Sequence, residues 1–367
     1  MPLLARLRQQ VAEEQPFAGT TIGICLHIEP KTAVMCGVLS AGGARIAITG
    51  SPGTTQDDVA QALRDRGHAV FGCRADSLSA HDANIRNVLA RRPEILLDNG
   101  ASLVEALLAD PYPVRGSTEE TTTGANLLRE KMADRVGFPV IVINDSPLKL
   151  IMENEFGVGP TMVAAFLKVT NLQVPAKRFA VFGYGSVGRG IAKSLQAQHG
   201  VVTLVEPDAI RALEAVLHGF RVTSTEVALR SCDVLITATG RADAIAAEHL
   251  GLLRDGAILV NAGHYSWEID LAALRATAAS TQTVDAGIEV FQMPDGRQLN
   301  LLTRGEMLNL AGGGGNPIET MDLGLALQVL SLRRVALDAA SLVDGPQPVP
   351  DDINREVARG MVDLLSA

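Results

Sequence analysis

The 367-residue chain has only four cysteines, Cys25, Cys36, Cys73 and Cys232, and no two of them stand in a CxxC spacing. That scatter gives neither a disulfide framework nor a zinc-ligand pattern, so they read as buried thiols and no metal is expected. A one-signed run of charge is also missing. The 32 Lys and Arg are dispersed among 41 Asp and Glu, for a net charge of −9, and no basic stripe is left for nucleic acid or anionic lipid. No stretch of about 18 apolar residues occurs, as a membrane span would need. The first residues, Met1-Pro-Leu-Leu-Ala-Arg-Leu-Arg, read as the start of an amphipathic helix and lack the apolar core of a signal peptide. Internal repeats and low-complexity segments are absent. The expectation is a soluble, cytoplasmic protein with no nucleic-acid or membrane partner.

What is present is a hydrophobic fraction of 47%, ample for sizeable cores, in a chain long enough for two or three domains. Its most informative stretch is Gly183-Tyr-Gly-Ser-Val-Gly-Arg-Gly190, which follows the strand-like run Arg178–Phe182 and opens a helix-like one at Ile191. In that context Gly183 permits a tight turn and Gly185 lets backbone approach a pyrophosphate. Gly188 allows close helix–strand packing, while Ser186 and Val187 open the helix whose N–H groups face the phosphates. The next strand-like run, Val201–Val205, delivers Glu206 where a ribose diol is bound, which favours NAD over a 2′-phosphorylated cofactor.

Short apolar runs alternate with helix-like stretches from Thr20 to Gly124: Gly23–Leu26, Ala44–Ile48, Ala69–Gly72 and Glu94–Leu97. That rhythm predicts a parallel α/β layer, continued by Pro139–Asn144 and a helical stretch from Asp145 to Phe156. Gly157-Val-Gly-Pro160 breaks the pattern, and a hinge is expected there. Strands at Val234–Thr237, Ala257–Asn261 and Leu299–Leu302 follow, then a second break at Gly312–Pro317 and an apolar helix from Glu319 to Leu332. The predicted fold class is α/β, with two Rossmann-like parallel-sheet domains. A substrate domain over residues 1–157, completed by 318–340, holds an inserted NAD-binding domain over 158–317, and a cleft is expected between them. Residues 341–367 are expected to form a short C-terminal helical segment.

Three clusters outside the glycine loop carry candidate chemistry. Glu119-Glu-Thr-Thr-Thr-Gly124 concentrates acceptors and hydroxyls before a helix, and helix capping is its plain alternative. Lys149 and Glu153 share an i,i+4 spacing, which also suits an ordinary surface pair. Gly263-His264 follows the strand ending at Asn261, where strand C-termini face a cofactor crevice, although a histidine merely satisfied at a strand end reads the same way.

The order Asp98-Asn-Gly100, Glu119–Gly124, Asn144-Asp-Ser-x-x-Lys149-x-x-x-Glu-Asn154, the glycine loop, Asn261-x-Gly-His264 and Asn309-Leu-x-x-Gly-x-Gly-Asn-Pro317 resembles the S-adenosylhomocysteine hydrolase family. Cys25-Leu-His27 and Thr54-Thr-Gln-Asp57 add to the match. The resemblance implies NAD as a retained cofactor that oxidises C3′ of a nucleoside ribose, acidifies C4′–H for β-elimination at C5′, and is restored within each turnover. It also implies site roles. Lys149 assists deprotonation of the C3′ hydroxyl, its pKa depressed by NAD and His264. Glu120 holds ribose hydroxyls and His27 serves the C5′ substituent. Thr121, Thr122 and Thr123 reach NAD, Asn154 orients near the nicotinamide, and Thr237, Gly263 and Asn309 complete the cofactor site. A homodimer or homotetramer is implied as well.

The departures from the family pattern are as specific as the matches. Asn99 stands where the family has a second aspartate, and Glu153 stands for an aspartate. Glu29 and Lys31 replace a threonine and an amide or acid in the nucleoside-recognition loop. Asn316 replaces the histidine of a Gly-His-Pro signature. The chain ends at Leu365-Ser-Ala367 without the family's Lys and Tyr tail, so NAD is expected to exchange more readily. These changes point to a divergent lyase that eliminates from an adenine nucleoside and stops at the alkene, a dehydratase of the kind recruited to antibiotic biosynthesis such as angustmycin formation. Hydrolysis of S-adenosylhomocysteine to adenosine and homocysteine is the alternative, and a non-catalytic NAD-binding regulatory paralogue is the alternative of another class.

Overall fold

A computed structural model describes residues 1–263, 266–285 and 287–366. The chain divides into two compact units, Met1–Leu150 with Ile318–Ala367, and Ile151–Pro317. The expected α/β class and the nested arrangement of two Rossmann-like units are present.

The first unit is a seven-stranded, wholly parallel sheet. Its strands are β1 (Thr21–Cys25), β2 (Arg45–Thr49), β3 (Ala69–Phe71), β4 (Ile95–Asp98), β5 (Gly116–Glu119), β6 (Pro139–Val142) and Gly345–Pro348. They lie in the order Gly345–Pro348, β6, β5, β4, β1, β2, β3. Helices cover a parallel sheet on both faces, which is why Ile22, Ile24 and Ile95–Leu97 form near-continuous apolar runs. Strand order reverses between β1 and β4, and the crevice beyond their C-terminal ends is where this topology binds ligands.

Helix Ile318–Asp338 is apolar nearly all round because it is covered nearly all round. One of its few polar side chains, Asp322, accepts hydrogen bonds from Leu3 N (2.8 Å) and Leu4 N (2.9 Å). It thereby satisfies two of the orphan donors that open helix Pro2–Glu14.

The C-terminal helical segment expected within 341–367 is present as helix Asp351–Leu365, and a strand that the sequence did not announce precedes it. Gly345–Pro348 pairs with β6 as an edge strand, a position that tolerates Pro346 and Pro348 because one side of the strand has no ladder to complete. Helix Asp351–Leu365 follows, and Asn354 ties it back by accepting from Ser146 Oγ (2.6 Å) and donating to Val349 O (3.0 Å).

The second unit has β7 (Arg178–Phe182), β8 (Val201–Val205), β9 (Arg221–Val222), β10 (Val234–Thr237), β11 (Ala257–Asn261), β12 (Ser280–Asp285), β13 (Ile288–Gln292) and β14 (Gln298–Leu302). Their order is β12, β13, β14, β11, β10, β7, β8, β9, parallel except for the two pairings of β13. Apolar clusters cover both faces, one around Phe179, Val181 and Ile191, the other around Phe182, Leu235 and Phe291. The order reverses between β7 and β10, immediately beside the glycine loop.

The break expected at Gly157–Pro160 is continuous helix, and the chain passes from the first compact unit to the second between Leu150 and Ile151. Lys149–Val158 winds as a π-helix and leads directly into helix Gly159–Thr170. Pro160 sits in that helix's first turn, where its missing N–H costs nothing. The glycines answer close packing instead: a Cβ on Gly159 would lie 2.4 Å from Gly190 C, and one on Gly190 would lie 2.3 Å from Glu155 O.

Candidate active site

In the first unit the candidate residues stand at successive C-terminal strand ends. His27 follows β1, Asn99 follows β4, Glu120 follows β5 and Lys149 lies after β6. Lys149 Nζ donates to Glu120 Oε1, and both side chains are buried. The second carboxylate oxygen, Oε2, accepts from Gln328 Nε2 on helix Ile318–Asp338. Gln328 was not foreseen; its only sequence signal is a lone amide within an apolar helix.

His27 Nδ1 lies 2.7 Å from Thr54 Oγ1, which itself donates to Ser51 O (3.2 Å). Which of the two donates in the ring contact follows the imidazole's tautomer. Burial, reinforced by the charges of His81 and Lys149, pushes the His27 pKa down to about 4, so the imidazole is neutral near pH 7.

Glu29 and Lys31 open helix Pro30–Ala41 as a buried ion pair of 2.7 Å. Burial pushes the Glu29 carboxyl up, and the Lys31 ammonium opposes it.

Asp98 and Glu119 are register partners at the ends of β4 and β5 and are fully buried. Asp98 accepts from Asn99 N (2.9 Å) and Val104 N (2.9 Å). Glu119 accepts from Gly100 N (2.9 Å), Ala101 N (2.9 Å) and Thr121 N (2.8 Å). Burial lifts Asp98 to about 6 and, with the Asp98 charge beside it, Glu119 to about 7. The two carboxyls therefore hold the turn that presents Asn99, whose buried Oδ1 has no hydrogen-bond partner among the described residues.

The capping alternative is realised in part. Thr121 caps helix Thr122–Lys131 by accepting from Gly124 N (3.0 Å), Thr122 Oγ1 accepts from Asn144 Nδ2 (2.7 Å), and Thr123 is buried.

The second unit holds the glycine loop. Gly183 adopts φ 94°, where a Cβ would meet Ala238 O at 2.7 Å, and a Cβ on Gly188 would lie 2.0 Å from Gly183 O. Around Gly185 the space is open, with nothing within 4 Å of a Cβ position. No side chain caps helix Ser186–Ala197, so its first-turn N–H groups remain available to an anion. Glu206 is aimed by Tyr184 N (2.6 Å) and Asp208 N (2.9 Å), leaving acceptor capacity for a diol. Asn154 Nδ2 donates to Ser186 Oγ (3.2 Å). Asn309 Nδ2 reaches Thr161 Oγ1 and Asn316 Oδ1 (3.2 Å each), while its buried Oδ1 lacks a partner among the described residues. Glu153 Oε1 lies 3.5 Å from Asn316 Nδ2. An open phosphate cradle, an aimed carboxylate and an orphaned amide oxygen are what a dinucleotide requires.

Two expected cofactor residues, Thr237 and Gly263, are tied into the scaffold. Thr237 is fully buried, its hydroxyl donated to Asn261 Oδ1 (3.1 Å). Gly263 makes room for Glu268, whose Oε1 would stand 1.9 Å from a Cβ there. Glu268, also unforeseen, accepts from Thr239 N (2.8 Å) and Gly240 N (2.9 Å). His264 lies outside the described residues. Among those described no cluster suits a metal, and no helix is long and apolar enough to cross a membrane.

Residues 1–111 match the family described as S-adenosyl-L-homocysteine hydrolase, and residues 154–315 match that family's NAD binding domain. An S-inosyl-L-homocysteine hydrolase of Methanopyrus kandleri is 40% identical over 98% of this chain and 86% of its own length. An adenosylhomocysteinase of Archaeoglobus fulgidus is 39% identical over 98% and 90%, and one of Thermotoga maritima 36% over 100% and 92%. With NAD as its cofactor, the chain belongs to the S-adenosyl-L-homocysteine hydrolase family of enzymes.

Proposed function

We propose that this protein hydrolyses an S-(5′-nucleosyl)-L-homocysteine to a nucleoside and homocysteine. The observation that carries the reading is the buried Lys149–Glu120 pair at the strand ends that also present a neutral His27. Buried charge is costly to keep, and a chain retired from catalysis has no reason to hold it. Relatives named for both S-inosyl and S-adenosyl substrates support the hydrolytic reading over dehydration and leave the purine open.

Bound NAD would supply a reversible oxidation of a ribose carbon, and in the second unit Gly183–Gly188, Glu206, Asn154 and Asn309 would hold it; Thr121–Thr123 and His264 are further residues of the reading. Lys149 moves the proton of the C3′ hydroxyl, and Glu120 orients that hydroxyl and the lysine together. As the C4′ proton is removed the C5′–S bond breaks and the His27 ring proton goes to the departing sulfur. His27 then takes a proton from the water that adds at C5′, and C4′ is reprotonated. Glu29 and Lys31 present an acceptor and a donor to the base, and Glu153 and Asn316 complete the substrate end. Asn99 orients by hydrogen bonds only, because an amide takes no proton at neutral pH.

Asn99 favours one second reading. An amide in place of the family's carboxylate suits an elimination that ends at the unsaturated nucleoside. Incubation with S-adenosyl-L-homocysteine, S-inosyl-L-homocysteine and free nucleosides in deuterated water, read by mass spectrometry, separates the two. Homocysteine release supports hydrolysis, loss of one water supports elimination, and the absence of both products and of C4′ deuterium refutes both. Light scattering of the NAD-loaded protein tests the dimer or tetramer that belongs to the same proposal.

A further inference from the structure

We infer that Gln328 is a positioning residue for the reaction, fixing Glu120 and through it Lys149; the inference rests on the ribose-oxidising reading above. Helix Ile318–Asp338 surrounds this position with Leu325, Leu327, Val329 and Leu332, Ser331 being the other polar side chain within a turn, and Gln328 is fully buried. Packing alone would be served by Leu or Met. The amide instead makes one bond, Nε2 to Glu120 Oε2, and leaves Oε1 without a partner among the described residues. An unmade buried bond is costly, so an amide at this position is explained by the bond it makes.

The orientation of the amide follows from its neighbour. An Oε1 turned toward Glu120 would set two acceptors face to face, so the carboxylate dictates which end of the amide it meets. Lys149 occupies one carboxylate oxygen and Gln328 the other, so the carboxylate plane, and with it the lysine's approach, is held from both sides. Without the amide, Glu120 turns about its last torsion and takes Lys149 with it.

Among the described residues Glu120, from the end of β5, bonds position 328 directly, and Lys149 from the π-helix holds the other oxygen of that carboxylate. Asp322 on the same helix is taken up by Leu3 and Leu4, and Asp98 and Glu119 are taken up by the amides of their loop. A carboxyl at 328 can therefore serve Glu120 only when protonated.

The test compares NAD-loaded parent, Gln328→Met and Gln328→Glu on S-adenosyl- and S-inosyl-L-homocysteine. Gln328→Met is expected to keep its melting temperature, bound NAD and KM while kcat falls roughly 10- to 100-fold. Gln328→Glu is expected to be weak at high pH and to regain turnover as the pH falls, because a protonated carboxyl donates to Glu120 as the amide did. Parental kcat in Gln328→Met, or a pH profile of Gln328→Glu parallel to the parent's, overturns the inference. If Gln328→Glu does not fold, the kcat-against-KM split of Gln328→Met decides. If the parent turns over neither substrate, the functional reading has failed, and an infrared titration tests the contact itself. Gln328→Glu should then hold a protonated carboxyl band above the ordinary carboxylate range, and Gln328→Glu with Glu120→Gln should lose it; no such band overturns the inference.

Discussion

Replacing Gly185 and Gly188 by alanine, one at a time, separates what the glycine loop does for the cofactor from what it does for the fold. At Gly188 a Cβ would sit 2.0 Å from Gly183 O and 2.9 Å from Gly183 C, so helix Ser186–Ala197 must retreat by about an ångström from the turn it packs on. Overpacking of that kind costs roughly 1–3 kcal/mol. At Gly185 the backbone is extended, with φ −69°, and a Cβ meets no protein atom within 4 Å. Alanine there is free of strain and should leave stability unchanged or raise it by about 0.4–1 kcal/mol through the unfolded chain. That empty space is the approach to the uncapped helix N-terminus, so the methyl should displace the pyrophosphate and weaken NAD binding by at least about tenfold. Calorimetric NAD titration together with thermal unfolding of the cofactor-free protein reads both effects. Gly188→Ala should lose stability and NAD together, and Gly185→Ala should lose NAD alone. A Gly185→Ala protein that binds NAD like the parent refutes the assignment of this loop.

Further outcomes follow from the first unit. Lys149→Met should lower turnover about 10²- to 10⁴-fold, as expected for a proton-transfer group, while NAD occupancy measured by absorbance is retained; unchanged turnover would remove the lysine from the mechanism. Asp322→Ala leaves the first-turn amides of Leu3 and Leu4 without their carboxylate and should cost about 1–3 kcal/mol in denaturant unfolding, with no change in KM. His27 is neutral in the folded chain down to about pH 4, whereas the unfolded chain binds its proton below about 6.5. Its contribution is therefore complete above the unfolded pKa and is lost as pH falls toward 4. The stability difference between parent and His27→Gln should change by roughly 3 kcal/mol across that window, and a flat difference would show that the imidazole is not buried as described.

Much of this architecture was legible because period and context agreed: the strands at Thr21–Cys25, Arg45–Thr49 and Arg178–Phe182 are apolar runs bounded by turn residues. β5 was not legible, since Gly-Ser-Thr-Glu reads as loop, and only the carboxylate of Glu119, spent on backbone amides, explains a polar strand with no exposed face. Gly345-Pro-Gln-Pro348 was hidden for a similar reason, because prolines argue against a strand until its edge position is known. The π-helix escaped because helical patterns are read at 3.6 residues per turn, and Gly157 with Pro160 imitated a break. In the site, His27, Glu120 and Lys149 stood out as costly residue types in a matching order. Gln328 and Glu268 did not, since their meaning lies wholly in partners far away in sequence.

The bond from Asp322 to the amides of Leu3 and Leu4 also orders events in time. During synthesis the first helix emerges more than three hundred residues before the carboxylate that caps it, and the sheet of the first unit waits equally long for helix Ile318–Asp338 and its last edge strand. The inserted unit, Ile151–Pro317, is contiguous and can close while its host is still open. Once residue 317 has cleared the ribosome, the nascent chain can hold a closed inserted unit while the sheet of the first unit still lacks its covering helix.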